Sequence, residues 1–470
     1  MVSLIDPASA LFLLAENRTM PLHVGALQLF DKPDGAGPDY ARDVAAWMRD
    51  VSDVAPLFLR RPYRSVRTGG QLAWQEDPRF DIEHHVRHSA LIRPGRYREL
   101  FELCSRLHSS PLARDRPLWE AHVIEGLADN KFAVYVKMHH SLIDGIRGMR
   151  LMESSLSTDP HERDLTPMWS TRKTAAPRAQ EPGGRTVSVQ PTPRAVWRGL
   201  RDVTTEVAGM PGAVTTTLVS GARNNTSSFS WGAPRTILNQ TISGSRRFAA
   251  DDWALARLRA VSQSAGASLN DVVLAMCSGA LRAYMQELDR LPRRSMVAMV
   301  PVGLKTKTGA GPSDGGSAIG TLMVRLATDV TDPGRRLGSI HESMQEGKSR
   351  LSAMTKNQVV AVSGLGQVPV MAPPLLGLQR AVSPACNLII SNVPGPRGPL
   401  YMNGARLTGT YPLSLPMHGL ALNITCVSYD GHLSFGLTGC RRSVPHLQRL
   451  LTHLDHELTE LERTCGSPTF

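Results

Sequence analysis

The sequence predicts an α/β protein made of two halves joined by a linker. In Phe132–Met138 apolar residues alternate in the period-2 pattern of a strand, whereas the leucines of Tyr97–Leu107 recur on one helical face. The same mixture of patterns returns after about residue 236. Mixed strands and helices on both sides of a linker are typical of two α/β domains. We therefore expect an N-terminal domain at 1–155, a crossover linker at 156–235 and a C-terminal domain at 236–470.

The C-terminal half contains a clear helix start and several strand-like runs. Ser268 precedes an apolar stretch beginning at Leu269 and is predicted to be a helix N-cap. Leucines at helical spacing between 447 and 461 predict a final amphipathic helix. Strands are predicted at Ser295–Val302, Gly320–Leu326, Leu388–Ile390 and Leu420–Val427.

The predicted linker differs in composition from both halves. It contains Pro167, Pro177, Pro182 and Pro191. Between residues 161 and 235 there are ten Lys or Arg and five Asp or Glu. Such a stretch favours an exposed, poorly ordered and partly basic crossover, with a helix conceivable over Ala195–Leu218.

The overall composition excludes several classes of protein. Of the 470 residues, 41% are hydrophobic and 20% charged, which excludes wholesale disorder. Six cysteines without a C-x-x-C pair argue against a disulfide framework or a zinc ribbon. The net charge of +12 indicates an anionic partner, either a membrane surface or a phosphorylated ligand. Nucleic acid is disfavoured, because aromatic residues are only 5% and no binding motif is present.

No signal peptide or membrane-spanning helix is expected. The start of the chain lacks a basic region followed by an apolar one. The uncharged stretch 357–379 contains Pro369, Pro373 and Pro374, which predict that a regular helix would be broken there. This stretch is interpreted as buried or apposed to a membrane, with a plain helix and loop lining the core as the alternative.

One segment is suited to acid–base chemistry. His139 and His140 directly follow the Phe132–Met138 strand, and Asp144 and Gly145 follow them. Neighbouring side chains on extended backbone point in opposite directions, so only one histidine can face a given cavity. A neutral imidazole is a suitable base for a hydroxyl proton near neutral pH. We expect Asp144 to hold the loop and Gly145 to permit a tight turn.

Other candidate sites are weaker. The pair His84-His85 has no following Asp-Gly and is assigned no chemistry. No third ligand lies at a familiar metal spacing from His139 and His140, so no metal site is predicted. Gly311–Gly315 fits G-x-S-x-G, but its Gly- and Pro-rich surroundings indicate a flexible loop and not a nucleophile elbow.

Several motifs together resemble one family. The segment His139–Gly145 matches the H-H-x-x-x-D-G signature of the CoA-dependent acyltransferase superfamily. The segment Asp6–Phe30, the motifs Pro117-Leu118-Trp119 and Asn270-Asp271, and the turn Asn392–Pro396 resemble the bacterial wax ester synthase/diacylglycerol acyltransferase family. One minor departure is that Gly303 and Lys305 stand where that family usually has Ser and Arg.

This resemblance implies a fold and a set of residue roles. It implies two chloramphenicol-acetyltransferase-like domains, each a mixed sheet flanked by helices, with the active site in an interdomain tunnel. His140 would be the general base beside His139, and Asn270 would donate to the thioester oxyanion or else cap its helix. Asp271 and Trp119 would lie near the substrate, although structural roles fit both. No cofactor is implied, since acyl-CoA is a substrate.

The expected function is acyl transfer from acyl-CoA to diacylglycerol, at the cytoplasmic membrane face or on lipid droplets. Three alternatives stay open: transfer to a long-chain alcohol, a condensation-type reaction, and a non-catalytic protein that coats lipid droplets. The expected partners are acyl-CoA, the acyl acceptor and an anionic lipid surface, while chain length and oligomeric state are not indicated by the sequence.

Overall fold

The computed structural model describes residues 2–65, 70–171, 232–305, 317–375 and 377–466. These residues form two compact units, and neither is continuous along the chain. Unit 1 comprises the described residues of Met1–Ala176, Thr241–Arg259 and Ser391–Thr452. Unit 2 comprises the described residues of Pro177–Gln240, Ala260–Ile390 and His453–Phe470.

Strands and helices alternate along the described chain. The strands are β1 Val2–Leu4, β2 His23–Asp31, β3 Arg60–Arg64, β4 Leu72–Glu76, β5 Val86–Ala90, β6 Trp119–Glu125, β7 Lys131–His139, β8 Arg246–Ala254, β9 Val297–Lys305, β10 Ser317–Arg325, β11 Leu388–Val393, β12 Tyr401–Met402, β13 Ala405–Leu413, β14 Leu422–Tyr429 and β15 His432–Cys440. The helices are α1 Pro7–Ala15, α2 Tyr40–Arg49, α3 Pro56–Leu59, α4 Ile82–His85, α5 Tyr97–Ser109, α6 Gly145–Glu153, α7 Leu255–Ser264, α8 Leu269–Glu287, α9 Pro333–Ser352, α10 Lys356–Leu375 and α11 Arg449–Gly466.

A six-stranded sheet forms the centre of unit 1. Its strand order is β12-β13-β2-β7-β6-β5, with antiparallel neighbours except for the parallel pair β5 and β6. In the register of β2 with β7, His23 lies opposite His139. Smaller antiparallel arrangements in the same unit join β1, β4 and β3, and join β14, β15 and β8.

The alternation along β7 places its side chains in two separate cores. Phe132, Val134, Val136 and Met138 enter a core on which α2 packs. Ala133 and Tyr135 enter the opposite core, together with the buried face of α5. The predicted strand is therefore confirmed, and both of its faces are buried.

Unit 2 contains a mixed sheet covered by long helices. Strands β9 and β10 are antiparallel, whereas β9 and β11 are parallel. Helix α8 packs against α9, and both α9 and α10 pack against β10. The Ser268 N-cap predicted for α8 is confirmed, because its hydroxyl accepts a hydrogen bond from the Asp271 amide. The four C-terminal strands and the final helix predicted from the sequence also form.

The prediction of a broken helix at 357–379 is wrong. Helix α10 continues through Pro369, Pro373 and Pro374. An interior proline costs a helix about 3 kcal/mol, and burial of Val359, Val362 and Val370 against the unit offsets this cost. Among the described residues, no helix has both the length and the apolar character needed to cross a bilayer.

The compact units differ from the division predicted at residues 155 and 236. Strand β13 pairs with β2 from Leu413↔Gly25 to Arg406↔Asp31, so C-terminal strands complete the N-terminal sheet. The described residues 156–171 also belong to unit 1, where Trp169 is buried. The rest of the predicted linker up to residue 231, including Ala195–Leu218, lies outside the described residues, as does the Gly311–Gly315 loop.

Candidate active site

The paired histidines lie where β7 ends. His139 is the last residue of β7, and helix α6 begins at Gly145. The His139 amide donates to the Leu118 carbonyl at 2.9 Å, and the His140 amide donates to the Leu22 carbonyl at 2.9 Å. Both histidines are therefore attached by their backbone to neighbouring segments of unit 1.

His139 is completely buried and hydrogen bonded. Its Nδ1 accepts from the Ser141 amide at 3.1 Å and lies 2.6 Å from Ser141 Oγ. Because Nδ1 accepts a hydrogen bond from an amide, a neutral His139 carries its proton on Nε2. That Nε2 atom lies 3.5 Å from Oε1 of Glu16, whose side chain is also buried. His139 is thus oriented by groups on both sides of its ring.

His140 has a different environment. Its partly exposed ring stacks on Phe12, with the ring centroids 4.4 Å apart. The ring makes no hydrogen bond to another of the described residues. Burial, and after it the charge of His139, lowers the pKa of His140 below its ordinary value. An imidazole that is neutral near pH 7 and has an unshared nitrogen lone pair can act as a base.

Asp144 and Gly145 form the start of α6. Oδ1 of the exposed Asp144 accepts from the Arg147 amide at 2.9 Å, which makes Asp144 the N-cap of the helix. Within the described part of the chain Asp144 makes no ion pair with an arginine. The prediction of a tight turn at Gly145 is wrong, because Gly145 does not have a positive φ and is the first residue of α6. The helix begins directly after its N-cap residue Asp144, so no separate turn forms at Gly145.

An apolar cavity that is partly open to solvent lies beside this segment. Met138 and Ile143, on either side of His140 in the sequence, line it, whereas His140 itself does not. Gly25 permits the close approach of β2 to β7 there, since a Cβ atom would lie 2.7 Å from the Val136 carbonyl oxygen. The complete lining is Val24, Gly25, Ala26, Val136, Met138, Ile143, Gly145, Gly148, Met149, Met152, Val393, Pro412, Leu413, Ser414, Thr425 and Val427.

The predicted substrate residue Trp119 lies in the core and not in this cavity. It is completely buried on β6, and its indole N–H donates to the Phe58 carbonyl at 2.9 Å. Its ring stacks on His85 and Trp169. These contacts give Trp119 a packing role in unit 1.

Asn270 and Asp271 lie together in unit 2, in the first turn of α8. The Asp271 carboxylate accepts from the Ser268 amide at 2.9 Å and from His341 Nδ1 at 2.8 Å, and it is buried. Asp271 therefore forms a capping box with Ser268 at the start of α8. Asn270 is partly exposed and is not the N-cap, since Ser268 has that position. Its side chain makes no hydrogen bond to another described residue.

Comparison with known proteins supplies the family. Residues 5–273 match the family model of the wax ester synthase/diacylglycerol acyltransferase catalytic domain, and residues 315–462 match that of the WS/DGAT C-terminal domain. The chain belongs to the wax ester synthase/diacylglycerol acyltransferase family. The resemblance expected from the His139–Gly145 segment and the other motifs is thereby confirmed.

Relatives within the WS/DGAT family match over the whole chain. A Mycobacterium tuberculosis protein named as a diacylglycerol O-acyltransferase is 47% identical over 464 residues, covering 98% of this chain and all of the relative. A second protein of that organism with the same named activity is 43% identical over 469 residues, covering 99% of this chain and all of its own length.

Solved structures confirm the WS/DGAT fold. The wax ester synthase/diacylglycerol acyltransferase from Marinobacter aquaeolei has a TM-score of 0.77 and 39% identity, covering 99% of this chain and all of its own. The starter condensation domain of rhizomide synthetase has a TM-score of 0.58 and 14% identity, covering 99% of this chain and 95% of its own. This second likeness concerns the fold alone.

Sequence reasoning missed Glu16, Phe12 and Ser141. Glu16 and Phe12 are more than a hundred residues from the histidines along the chain, and only the fold brings them together. The available signal was a single acidic residue at the end of the otherwise apolar helix α1. Glu16 lies within the segment Asp6–Phe30 that resembles the WS/DGAT family.

Proposed function

We propose that this protein transfers a fatty acyl group from acyl-CoA to the free hydroxyl of diacylglycerol, forming triacylglycerol. Family membership and two full-length relatives named as diacylglycerol O-acyltransferases support this activity. The single observation that carries it is the partly exposed imidazole of His140, which makes no hydrogen bond to another described residue and is held at a strand end beside an apolar cavity.

His140 acts as the general base in this proposal. It takes the proton of the acceptor hydroxyl while the oxygen attacks the thioester carbonyl carbon. The new C–O bond forms, the C–S bond breaks, and the CoA thiolate leaves with a proton returned by the imidazolium. No covalent enzyme intermediate and no cofactor are required, so positioning of the two substrates supplies much of the acceleration.

His139 is unsuited to the same task. Its Nδ1 accepts from Ser141, and its Nε2 faces the Glu16 carboxylate in a completely buried position. A hydroxyl of a substrate could reach neither nitrogen without displacing one of these groups. The second histidine of the pair is therefore the reacting one, and the first supports it.

The apolar cavity would hold a hydrocarbon chain of one substrate. Small-molecule sites in proteins are mostly apolar and have few polar groups. This cavity has the same character, because only Ser414 and Thr425 contribute polar side chains to its lining. Its position beside Met138 and Ile143 would place the chain near His140.

Asn270 is proposed as a donor to the oxyanion that forms on the thioester carbonyl. Its amide is not used in capping α8, which supports a role toward substrate. We assign Asp271 to structural support of Asn270 and not to substrate contact, because the Asp271 carboxylate is buried between Ser268 and His341.

We also propose that the enzyme works while bound to an anionic membrane or lipid-droplet surface at the cytoplasmic side. The net charge of +12 favours anionic lipids. On α1, Leu14 is 66% exposed and Leu11 39% exposed, while Phe12 of the same helix stacks on His140. These leucines are three residues apart, so they lie on one helical face and could enter the lipid from which an insoluble acceptor arrives.

The activity is tested with purified protein, labelled acyl-CoA and either diacylglycerol or hexadecanol. Formation of triacylglycerol that is lost in His140→Ala supports the proposal. Preferential wax ester formation would establish the alcohol reading, to which the name of the Marinobacter relative also points. Ester formation only from an acyl-carrier protein would favour a condensation-type reaction, and no ester from folded protein would favour a non-catalytic lipid-coating role.

The lipid surface is tested by flotation with vesicles of anionic and of neutral lipid. The double variant Leu11→Gln/Leu14→Gln should lose vesicle binding, whereas Ile92→Gln removes an equally exposed apolar side chain of the same unit and should retain it. Equal binding by both variants would exclude α1 as the contact with the lipid.

A further inference from the structure

Glu16 is a buried carboxylate that the reaction as described does not use. It is the C-cap residue of α1, and its side chain is only 3% exposed. Oε1 accepts from the Leu22 amide at 3.0 Å, and Oε2 accepts from the Arg114 guanidinium at 3.1 Å. Arg114 also donates to the Leu13 carbonyl at 2.6 Å, so it fixes the end of α1 around the carboxylate.

Glu16 remains ionised in this buried position. Burial alone raises its pKa, but the neighbouring His139, the Leu22 amide and Arg114 together lower the pKa of Glu16 below its ordinary value. A buried carboxylate is stable only when such donors surround it. The end of α1 therefore presents a fixed negative charge to the histidine pair at neutral pH.

Two separate connections lead from Glu16 to the histidines. The first is direct, because Oε1 lies 3.5 Å from Nε2 of His139. The second passes through Leu22, whose amide donates to Glu16 and whose carbonyl accepts from the His140 amide at 2.9 Å. The Glu16 carboxylate thus positions the side chain of His139 and, through Leu22, the backbone of His140.

The direct connection is compatible with only one neutral tautomer of His139, the one that the Ser141 amide requires. The Ser141 amide can donate to Nδ1 only if that nitrogen carries no proton. The Nε2–H tautomer that results needs an acceptor, and within the described residues Glu16 is the carboxylate that faces Nε2. In the other tautomer the Nδ1 proton would be directed toward Ser141 Oγ, and the hydrogen bond from the Ser141 amide would be lost.

We propose that Glu16 is the positioning residue of the catalytic pair, holding the Nε2–H form of His139 and the backbone of His140 so that the His140 ring faces substrate. The proposal rests on the proposed function, in which His140 is the base. It differs from the support given by a triad carboxylate, because the carboxylate contacts the neighbour of the base and not the base itself.

The principal test is Glu16→Gln, which keeps the size of the side chain and removes its charge. The amide cannot accept through both terminal atoms, so the variant loses either the contact with Arg114 or the contacts with Leu22 and His139. We expect kcat to fall about 10²-fold, as for small displacements of catalytic groups, while KM for acyl-CoA stays within about twofold. Glu16→Asp keeps the charge with a shorter reach and should restore part of kcat.

Glu120→Gln is the matched control for loss of a buried charge. The Glu120 carboxylate on β6 is also buried, and it lies 3.2 Å from Nζ of Lys137 and 3.4 Å from Nε2 of His122, without contacting the histidine pair. This variant should lower the melting temperature and leave kcat within about twofold, as expected for a change outside the site. Equal losses of kcat in Glu16→Gln and Glu120→Gln would overturn the proposal.

A double-mutant cycle tests the coupling to His139. If Glu16 acts partly through that ring, Glu16→Gln should reduce kcat much less in a His139→Gln background than in the wild type. Additive losses would reduce the role of Glu16 to general stability and overturn the tautomer argument.

A readout without activity separates this proposal from the proposed function. The imidazole ¹⁵N chemical shifts of His139, assigned by comparison with His139→Gln, should report the Nε2–H tautomer in the wild type and a tautomer mixture in Glu16→Gln. An unchanged tautomer would overturn the proposal even if the enzyme makes triacylglycerol. An altered tautomer in a protein without transferase activity would contradict only the function.

Discussion

Two His-His pairs occur in unit 1, and their surroundings differ. In each pair one ring is buried and hydrogen bonded: His139 as described above, and His85, whose Nδ1–H donates to the Trp119 carbonyl at 2.7 Å. Burial lowers the pKa of His85 to about 4. Buried rings of this kind are common structural histidines, so they do not distinguish the two pairs.

The second ring of each pair does distinguish them. The Nε2 atom of His84 faces the Arg87 guanidinium at 3.5 Å, and burial followed by the charges of Arg116 and Arg87 lowers its pKa. The ring of His140 instead lies against Phe12, with no described hydrogen-bond partner and with an apolar cavity nearby. A histidine can serve as a base when its lone pair is unshared and apolar substrate can approach, and only His140 meets both conditions.

The largest expected effect is the loss of activity when His140, but not His84, is replaced by alanine. His140→Ala should reduce kcat by a factor of about 10² to 10⁴, the usual contribution of a general base. His84→Ala should leave kcat within about twofold, because a partly exposed ring outside the site is removed. The measurement is the initial rate of triacylglycerol formation for each variant. Comparable losses in both would mean that the surroundings do not decide the function.

A smaller effect is expected from filling the cavity beside His140. Met149 lines it, so Met149→Trp should reduce kcat/KM for a long-chain relative to a short-chain substrate by about tenfold, since a few methylene groups lose their site. Met168→Trp overpacks the same core away from the cavity and serves as the control. The ratio of rates with C16 and C8 chains is measured, and an unchanged ratio would exclude the cavity as a chain site.

The helix caps near the two pairs offer a further comparison. Asp144 caps α6 after His140, and Asp81 caps α4, which contains His84 and His85. Loss of an N-cap costs about 1 kcal/mol, so either Asp→Ala variant should lower stability by a similar amount. Denaturant titration measures the loss. Activity should fall several-fold only in Asp144→Ala, because that helix lines the cavity, and equal activities would contradict this role.

The smallest effect concerns pH. The neutral form of His140 is the base, and its lowered pKa keeps it neutral into mildly acidic solution. The acidic limb of kcat/KM should therefore have its midpoint below about 6.5, the ordinary value for histidine. A midpoint above 6.5 in the wild type would contradict the assignment of His140.

Local patterns explain which features could be predicted. The alternation in Phe132–Met138 and the cap at Ser268 depend on neighbouring residues, and both were correct. Helix α10 could not be predicted, because burial of its valines overrides three prolines. The prediction of a tight turn at Gly145 was wrong because an Asp-Gly pair is compatible both with a turn and with the start of a helix.

Features that depend on distant pairing could not be predicted. The contact of Glu16 with His139 joins residues that only the fold brings together. Likewise, no local pattern indicates that β13 pairs with β2, which moves residues near the end of the chain into unit 1. The residues of His139–Gly145 were sufficient to predict the acid–base segment, whereas its supporting carboxylate is apparent only in the folded chain.

The pairing of β13 with β2 has a consequence for how the protein can be made. The strand beside the one carrying the histidines lacks its other neighbour until residue 413 has left the ribosome. A fragment ending near residue 273, although it contains every residue of the H-H-x-x-x-D-G signature, would leave β2 as an open edge prone to aggregation. The sheet that carries the histidines is therefore completed only late in synthesis, and fragments that end before β13 should be insoluble and inactive.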